Sequence, residues 1–411
     1  MMKVRGLSNI ALMYVIFLWG GAGAFAASSE LSGIEQATFL PKTLVLSKLL
    51  NKNNDQSVIA AIILRRSLQS VVDAGTGNLT CAQIVTEERQ LACQLLLLGE
   101  AFNQKNYQEM LRLYRLLDGG SRAIWSTKVP GLNDQSLAAI DEFPAFEQAP
   151  APGATAVGWQ TVDNGFLMLR AKPYLTVEIN GVALKAKLDT GASVSHLSAV
   201  DARRLNLQAS PWEFDLATYY QDSTVKSKMV LLKTLDVSGQ RFKNFAVLMG
   251  STETLLGLDI LSKLGRISIN ASGITFSSTA DQSLCESKVF LGSNLSRTTQ
   301  FLFTYLLVDG EKVPVLLDTG NMEYLSGGKK PLGSGVLVLS NRINDLTGSY
   351  HEAQYQASEV ISLAGKDRPV QRLYSPTRTY LLPYVLGWNA FEHYQLVVDF
   401  NQGWGCLNNV Q

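Results

Sequence analysis

Apolar and polar positions follow two different periods along this chain, and the change of period divides it. From Ser57 to Val72 and from Arg89 to Leu117, aliphatic side chains recur every three or four residues, the spacing of one helix face. Asp118-Gly119-Gly120 then reads as a stop signal. Beyond about residue 158, short apolar runs closed by turn residues predict strands. Asn180-Gly181 and Asp309-Gly310 each feed such a run, as two-residue hairpin turns do. Phe214 to Leu232 reads as another hairpin, its tip near Gln221-Asp222-Ser223. Between the two regimes lies Phe143 to Gly158, with Pro144, Pro150 and Pro152 among alanines, a semi-extended linker by composition.

The strand-rich part repeats itself. Asp189-Thr190-Gly191 and Asp318-Thr319-Gly320 each close an apolar strand, and in both cases the turn glycine, Gly181 or Gly310, precedes the aspartate by eight residues. Leu255-Leu256-Gly257 and Val385-Leu386-Gly387 follow, with their glycines 68 and 69 residues past the aspartates. Gly273 and Gly403 come 16 residues later again. Five landmarks offset by 129 to 130 residues mark a duplicated unit. One such triplet alone would be an ordinary turn after a strand; a triplet repeated in register is two half-sites.

A duplicated aspartate has a chemical use. Two carboxylates brought together at a pseudo-twofold axis cannot both ionise cheaply, so they share a proton. One becomes a general acid, the other a general base, with a water between them that attacks a peptide carbonyl. The threonines, Thr190 and Thr319, can bond across to the opposite loop, and the glycines, Gly191 and Gly320, let backbone pass close to the carboxylates. No metal or other cofactor is required. The three histidines are scattered without ligand spacing, and no Gly-x-Ser-x-Gly nucleophile motif occurs.

From about residue 158 to 411 the sequence resembles a pepsin-type or retropepsin-like aspartic peptidase with both lobes in one chain, of the bacterial, exported kind. The resemblance rests on the two Asp-Thr-Gly triplets and the apolar-apolar-Gly segments that follow them. It implies a mainly β, bilobal acid-protease-like fold, preceded here by a small α-helical domain. It also implies Asp189 and Asp318 as the catalytic pair, with Thr190, Gly191, Thr319 and Gly320 as supports, and an extended peptide or protein as substrate. Ala192 and Asn321 occupy the position after each triplet, where pepsin-like members often have Ser or Thr. The amide of Asn321 is expected to donate to Asp318, so that Asp318 holds the charge and the shared proton rests on Asp189. Tyr219 and Tyr220 beside the first hairpin tip, and Tyr350 at the matching place in the second lobe, are candidate flap residues over the cleft. A catalytically inactive peptide-binding module, or a scaffold whose working part is the helical domain, are the alternatives.

Remaining features concern address and assembly. Lys3 and Arg5, then ten apolar residues from Ile10 to Trp19, then Ala24-Phe25-Ala26, form a signal-peptide pattern over residues 1–26. Export to the periplasm or the medium is expected; membrane attachment follows only if the segment stays uncleaved. Four cysteines allow three pairings, of which the local one, Cys81 with Cys93 and Cys285 with Cys406, is expected. With 36 basic against 35 acidic residues the net charge is +1, and no basic run asks for nucleic acid. The expected organisation is a monomer with a separable helical domain over 27–142, a linker over 143–157, and lobes over 158–283 and 284–411.

Overall fold

The computed structural model describes residues 29–42, 46, 48–49, 55–69, 81–129, 134–149, 153–160, 172–217, 224–277, 285–328, 336–345, 348–375 and 380–410. The expected signal segment and the hairpin tip bearing Tyr219 and Tyr220 lie outside these residues. Among the described residues no helix is long and apolar enough to cross a membrane.

The helical part contains Asp55–Arg66, Glu87–Asn103, Tyr107–Leu116, Gly119–Lys128 and Asp134–Asp141, after an initial Ser29–Phe39. Glu87 and Glu88 sit in the first turn of their helix, where negative charge suits the dipole. The helical stretch expected from Arg89 to Leu117 is a pair of helices. The chain turns at Lys105, whose φ is +59°, and Asn106 then caps the next helix by accepting the Glu109 N–H at 3.2 Å. Asp118 follows a helix that ends at Leu116, as its reading as part of a stop expects, and it also caps the next start: its carboxylate accepts the Ser121 N–H at 2.8 Å.

Each half of the repeat forms an eight-stranded sheet. In the first, Val182–Leu188 lies between Tyr174–Ile179 and Leu255–Leu256, and Thr224–Val237 pairs with Gln240–Ser251 to curl the sheet on itself. In the second, Glu311–Asp318 lies between Gln300–Val308 and Tyr384–Gly387. The turns that feed the two central strands are alike. Asn180 and Gly181 have φ of 51° and 80°, and Asp309 and Gly310 have 51° and 79°, the left-handed pair that a tight hairpin requires.

A third sheet of six strands joins the lobes: Ser287–Lys288, Trp404–Asn409, Tyr394–Asp399, Arg266–Asn270, Gly273–Ser277 and Thr155–Gly158, in that order. At its centre Arg266 faces Asp399 and Ile269 faces Leu396, so one lobe pairs directly with the other. The stretch expected as a linker contributes strand Thr155–Gly158 to this sheet and Glu147–Gln148 to the first lobe. Disulfides join Cys81 to Cys93 and Cys285 to Cys406, with Cα separations of 5.7 and 5.5 Å. The second ties Cys285, just before edge strand Ser287–Lys288, to strand Trp404–Asn409.

The helices are packed into this arrangement rather than tethered to it. Leu95, Leu96 and Phe102 share one buried cluster with Trp212, Met229 and Leu248 of the first lobe and Leu295 of the second. Each fully buried side chain of this size stabilises by about 1.5–3 kcal/mol. Gly99 marks the closest approach, since a Cβ there would lie 2.7 Å from the Ser296 carbonyl carbon.

Candidate active site

Parallel pairing of the strand before each triplet with the later apolar-apolar-Gly segment fixes where the aspartates emerge. Leu188 pairs with Leu256, and the Asp189 N–H donates to the Leu256 carbonyl at 3.0 Å. In the second lobe Leu317 pairs with Leu386 and Asp318 with Gly387. Gly257 and Gly387 pass under the loops so closely that a Cβ at Gly257 would lie 2.8 Å from the Ala192 carbonyl oxygen, and one at Gly387 would lie 2.5 Å from that of Asn321.

The two triplets interlock by four symmetric hydrogen bonds. Each threonine N–H donates to the other threonine's Oγ1 at 3.0 Å. The Oγ1 of Thr190 donates to the Leu317 carbonyl at 2.7 Å, and that of Thr319 to the Leu188 carbonyl at 2.9 Å. Both threonines are fully buried, so every donor and acceptor is used where an unmade bond would cost most.

This lock sets each aspartate carboxyl against the other triplet's glycine, Asp318 beside Gly191 and Asp189 beside Gly320. Asp189 Oδ1 accepts from Gly191 and Ala192 N–H at 3.0 and 3.1 Å, and Asp318 Oδ1 from Gly320 and Asn321 N–H at 2.8 and 3.2 Å. The glycines are required by proximity: a Cβ at Gly191 would lie 2.7 Å from Asp318 Oδ2, and one at Gly320 would lie 2.5 Å from Asp189 Oδ1.

The halves are not electrostatically equal. Burial, followed by the charge of Asp189, pushes the Asp318 carboxyl up to about 7, against a smaller downward pull from the Lys187 ammonium. Lys187 Nζ donates to the Gly320 carbonyl at 2.7 Å, a cross-lobe contact; the matching position in the second lobe is Leu316. Within the coupled pair, burial and the Asp189 charge favour the protonated form of Asp318, where the sequence reading gave Asp318 the charge. Asn321 does not act as that reading expects. Its amide does not reach Asp318; it donates to Ser326 Oγ at 2.8 Å, while its Oδ1 accepts the Glu323 N–H at 3.0 Å. Only its backbone N–H serves the aspartate, as Ala192's does on the other side.

Behind the Asp189 loop two relays lead to the helical part. Ser195 donates to Asp259 Oδ1 through both N–H and Oγ, at 2.8 and 2.5 Å, and accepts the Gly257 N–H at 2.9 Å. Asp259 Oδ2 is held in turn by Lys105 Nζ at 2.8 Å, an ion pair with side chains 1% and 3% exposed. Burial opposes the Lys105 charge, but Asp259 and Tyr107 together more than offset it and the ammonium's pKa is raised. In the second relay the Gln300 amide of lobe two donates to the Ser193 carbonyl at 3.2 Å and to Asn103 Oδ1 at 2.9 Å. Lys187, Ser193, Ser195, Asp259, Gln300, Asn103 and Lys105 carried no sequence signal beyond Asp259's place after Gly257. A lone lysine in a helical break is not distinguishable from a surface one until its partner is known.

Strands Ala209–Ala217 and Thr224–Val237 form the first hairpin, with the candidate flap residues Tyr219 and Tyr220 outside the described residues. Tyr350 pairs with Ile343 in the second lobe's hairpin. His196 is buried, which lowers its pKa to about 4 and leaves the ring neutral. Among the described residues no group of His, Cys, Asp and Glu could hold a metal ion.

Residues 175–263, which include the first triplet and its supporting segment, match the family model described as gag-polyprotein putative aspartyl protease. Among solved structures the chain is similar to a retropepsin-like aspartic protease from Rickettsia conorii. The identity is 23%, covering 32% of this chain and 92% of that one, with a TM-score of 0.23. The search of curated proteins gave no match.

Proposed function

We propose that this chain is an aspartic endopeptidase that hydrolyses peptide bonds by a water activated between Asp189 and Asp318. The observation that carries the reading is the pair of interlocked triplets, which supports two facing carboxyls, that of Asp318 pushed up to about 7 by burial and by Asp189. Asp189 accepts a proton from the water as its oxygen attacks the scissile carbonyl carbon. Asp318 gives its proton to the carbonyl oxygen as that oxygen gains charge. Collapse of the tetrahedral intermediate returns the proton to Asp318. The proton on Asp189 passes to the leaving nitrogen as the C–N bond breaks, and the pair is reset.

An extended peptide with apolar side chains around the scissile bond suits a cleft between two sheets, with the hairpins as cover that excludes water. The family match over the first lobe supports the reading. Two disulfides support an oxidising compartment, and with it an exported protein. Incubating the purified full chain with a peptide library, with and without a statine-type inhibitor, tests the proposal. Cleavage abolished by the inhibitor is the expected result; no cleavage between pH 3 and 8 overturns it.

A further inference from the structure

A cavity of about 760 Å³ lies on the side of the molecule where the helical part, the first lobe and the lobe-joining sheet meet. Five cationic side chains line it, Arg65, Arg66, Lys263, Arg266 and Arg297, against the carboxylates Glu100 and Asp399. Both carboxylates are already engaged. Glu100 takes Arg297 at 2.7 Å and Arg66 at 3.9 Å, and Asp399 Oδ1 accepts the Asn401 and Gln402 N–H groups at 3.0 and 2.9 Å.

Arg66 Nη2 donates to the Asn294 and Leu295 carbonyls and Arg297 to Glu100 and Gln300, but other donors of this cationic set are left without partners. The Arg66 side chain is 2% exposed, and its Nε and Nη1, like the Nε of Arg297, find no hydrogen-bond acceptor. Among the described residues Lys263 Nζ makes neither a hydrogen bond nor an ion pair. A buried guanidinium with unmade bonds beside another guanidinium is unfavourable by desolvation and by repulsion together. Burial first, and then Arg297, hold Lys263 down to about 8, and the same two causes lower Arg66.

We propose that this cavity is a binding site for a small oxyanion of two or more negative charges, phosphate being the simplest, contacted by Lys263 and Arg65 with Arg66 and Arg297 supplying charge from behind. The bound anion bridges helix Asp55–Arg66, through Arg65 and Arg66, to the segment after helix Leu258–Leu261, through Lys263. It thereby fastens the helical part to the lobe that carries Asp189. Neither aspartate lines the cavity, and the site stands whether or not the chain cleaves peptides.

The test is calorimetric titration of the full chain with inorganic phosphate and with pyrophosphate at fixed ionic strength, perchlorate serving as the monovalent control. The wild type is compared with Lys263→Gln and Arg65→Gln, two side chains with solvent contact whose loss leaves the core intact. Saturable 1:1 binding is expected, tighter for pyrophosphate, weakened at least about tenfold in each variant, and accompanied by a rise in Tm. The absence of saturable binding up to about 10 mM, or equal binding by wild type and both variants, overturns the proposal. Running the same titration on Asp318→Asn separates it from the peptidase reading, because binding there should be unchanged.

Discussion

Replacing Lys105 by methionine should damage a site that Lys105 never touches. The substitution keeps the length of the stem, which lies over the Phe245 ring with Nζ 4.9 Å from its centroid, and removes only the charge. Asp259, 2% exposed, is then left as a buried carboxylate without its cation. Breaking a buried pair from one side costs about 3–5 kcal/mol. Ser195 N–H, Ser195 Oγ and Ile260 N–H still donate to Asp259 Oδ1, which places the cost at the lower end, near 3 kcal/mol. A domain of ordinary stability, about 5–15 kcal/mol, survives that loss. Because Asp259 holds Ser195 and, through it, the Gly257 turn beneath the Asp189 loop, kcat on a peptide substrate should fall with KM little changed. Lys105→Met/Asp259→Asn restores a neutral acceptor for Ser195 and should regain about 2 kcal/mol of the loss, with part of kcat. The assay is urea unfolding of the full chain with disulfides intact, read by fluorescence and far-UV circular dichroism, beside steady-state kinetics. A single variant within about 0.5 kcal/mol of wild type, or a double variant no better than the single, would refute the relay.

Other expectations follow from the same geometry. Lys187→Met removes the charge that pulls Asp318 down, so the basic limb of the kcat/KM profile should move to higher pH by roughly one unit; the profile belongs to the coupled pair, and coincident limbs would dismiss Lys187 as a tuning residue. Asp318 is a carboxyl whose folded pKa, about 7, exceeds its unfolded value of about 4. Its effect on stability is therefore least harmful below pH 4 and grows as pH rises to 7, so Asp318→Asn should gain Tm over wild type between pH 4 and 8; a difference that does not change with pH contradicts the raised carboxyl. Gly99→Ala improves helix propensity by about 1 kcal/mol, yet its Cβ would meet Ser296 backbone at 2.7 Å. A lowered midpoint in thermal unfolding is expected, and a raised one would mean the helix does not press on the second lobe there.

What could be read from the sequence was local or repeated. Asn180-Gly181 and Asp309-Gly310 encode their turns in two residues, and the triplets encode their loops in three, so both halves of the site were visible at once. The cysteine pairing followed from separation alone. The lobe-joining sheet was not legible, because Arg266 pairs with Asp399 and Thr155 with Phe276, partners more than a hundred residues apart with nothing local to announce them. Proline and alanine around Pro150 gave a linker reading to a stretch whose ends are strands. The expected Asn321 contact failed for a different reason. Residue type told that Asn321 could donate, but the loop turned its amide to Ser326, and the cation that matters came from Lys187 on the opposite lobe.

The central claim is that one water is activated by two aspartates acting as a unit, and cleavage by Asp189→Asn and Asp318→Asn proteins measures it most directly. Each variant, shown by circular dichroism to keep the wild-type fold, should lose nearly all cleavage of a peptide that the wild type cuts, since either amide ends the acid and base exchange. Retention of more than about a tenth of wild-type kcat/KM by either one, a barrier change of under roughly 1.4 kcal/mol, would contradict the paired mechanism.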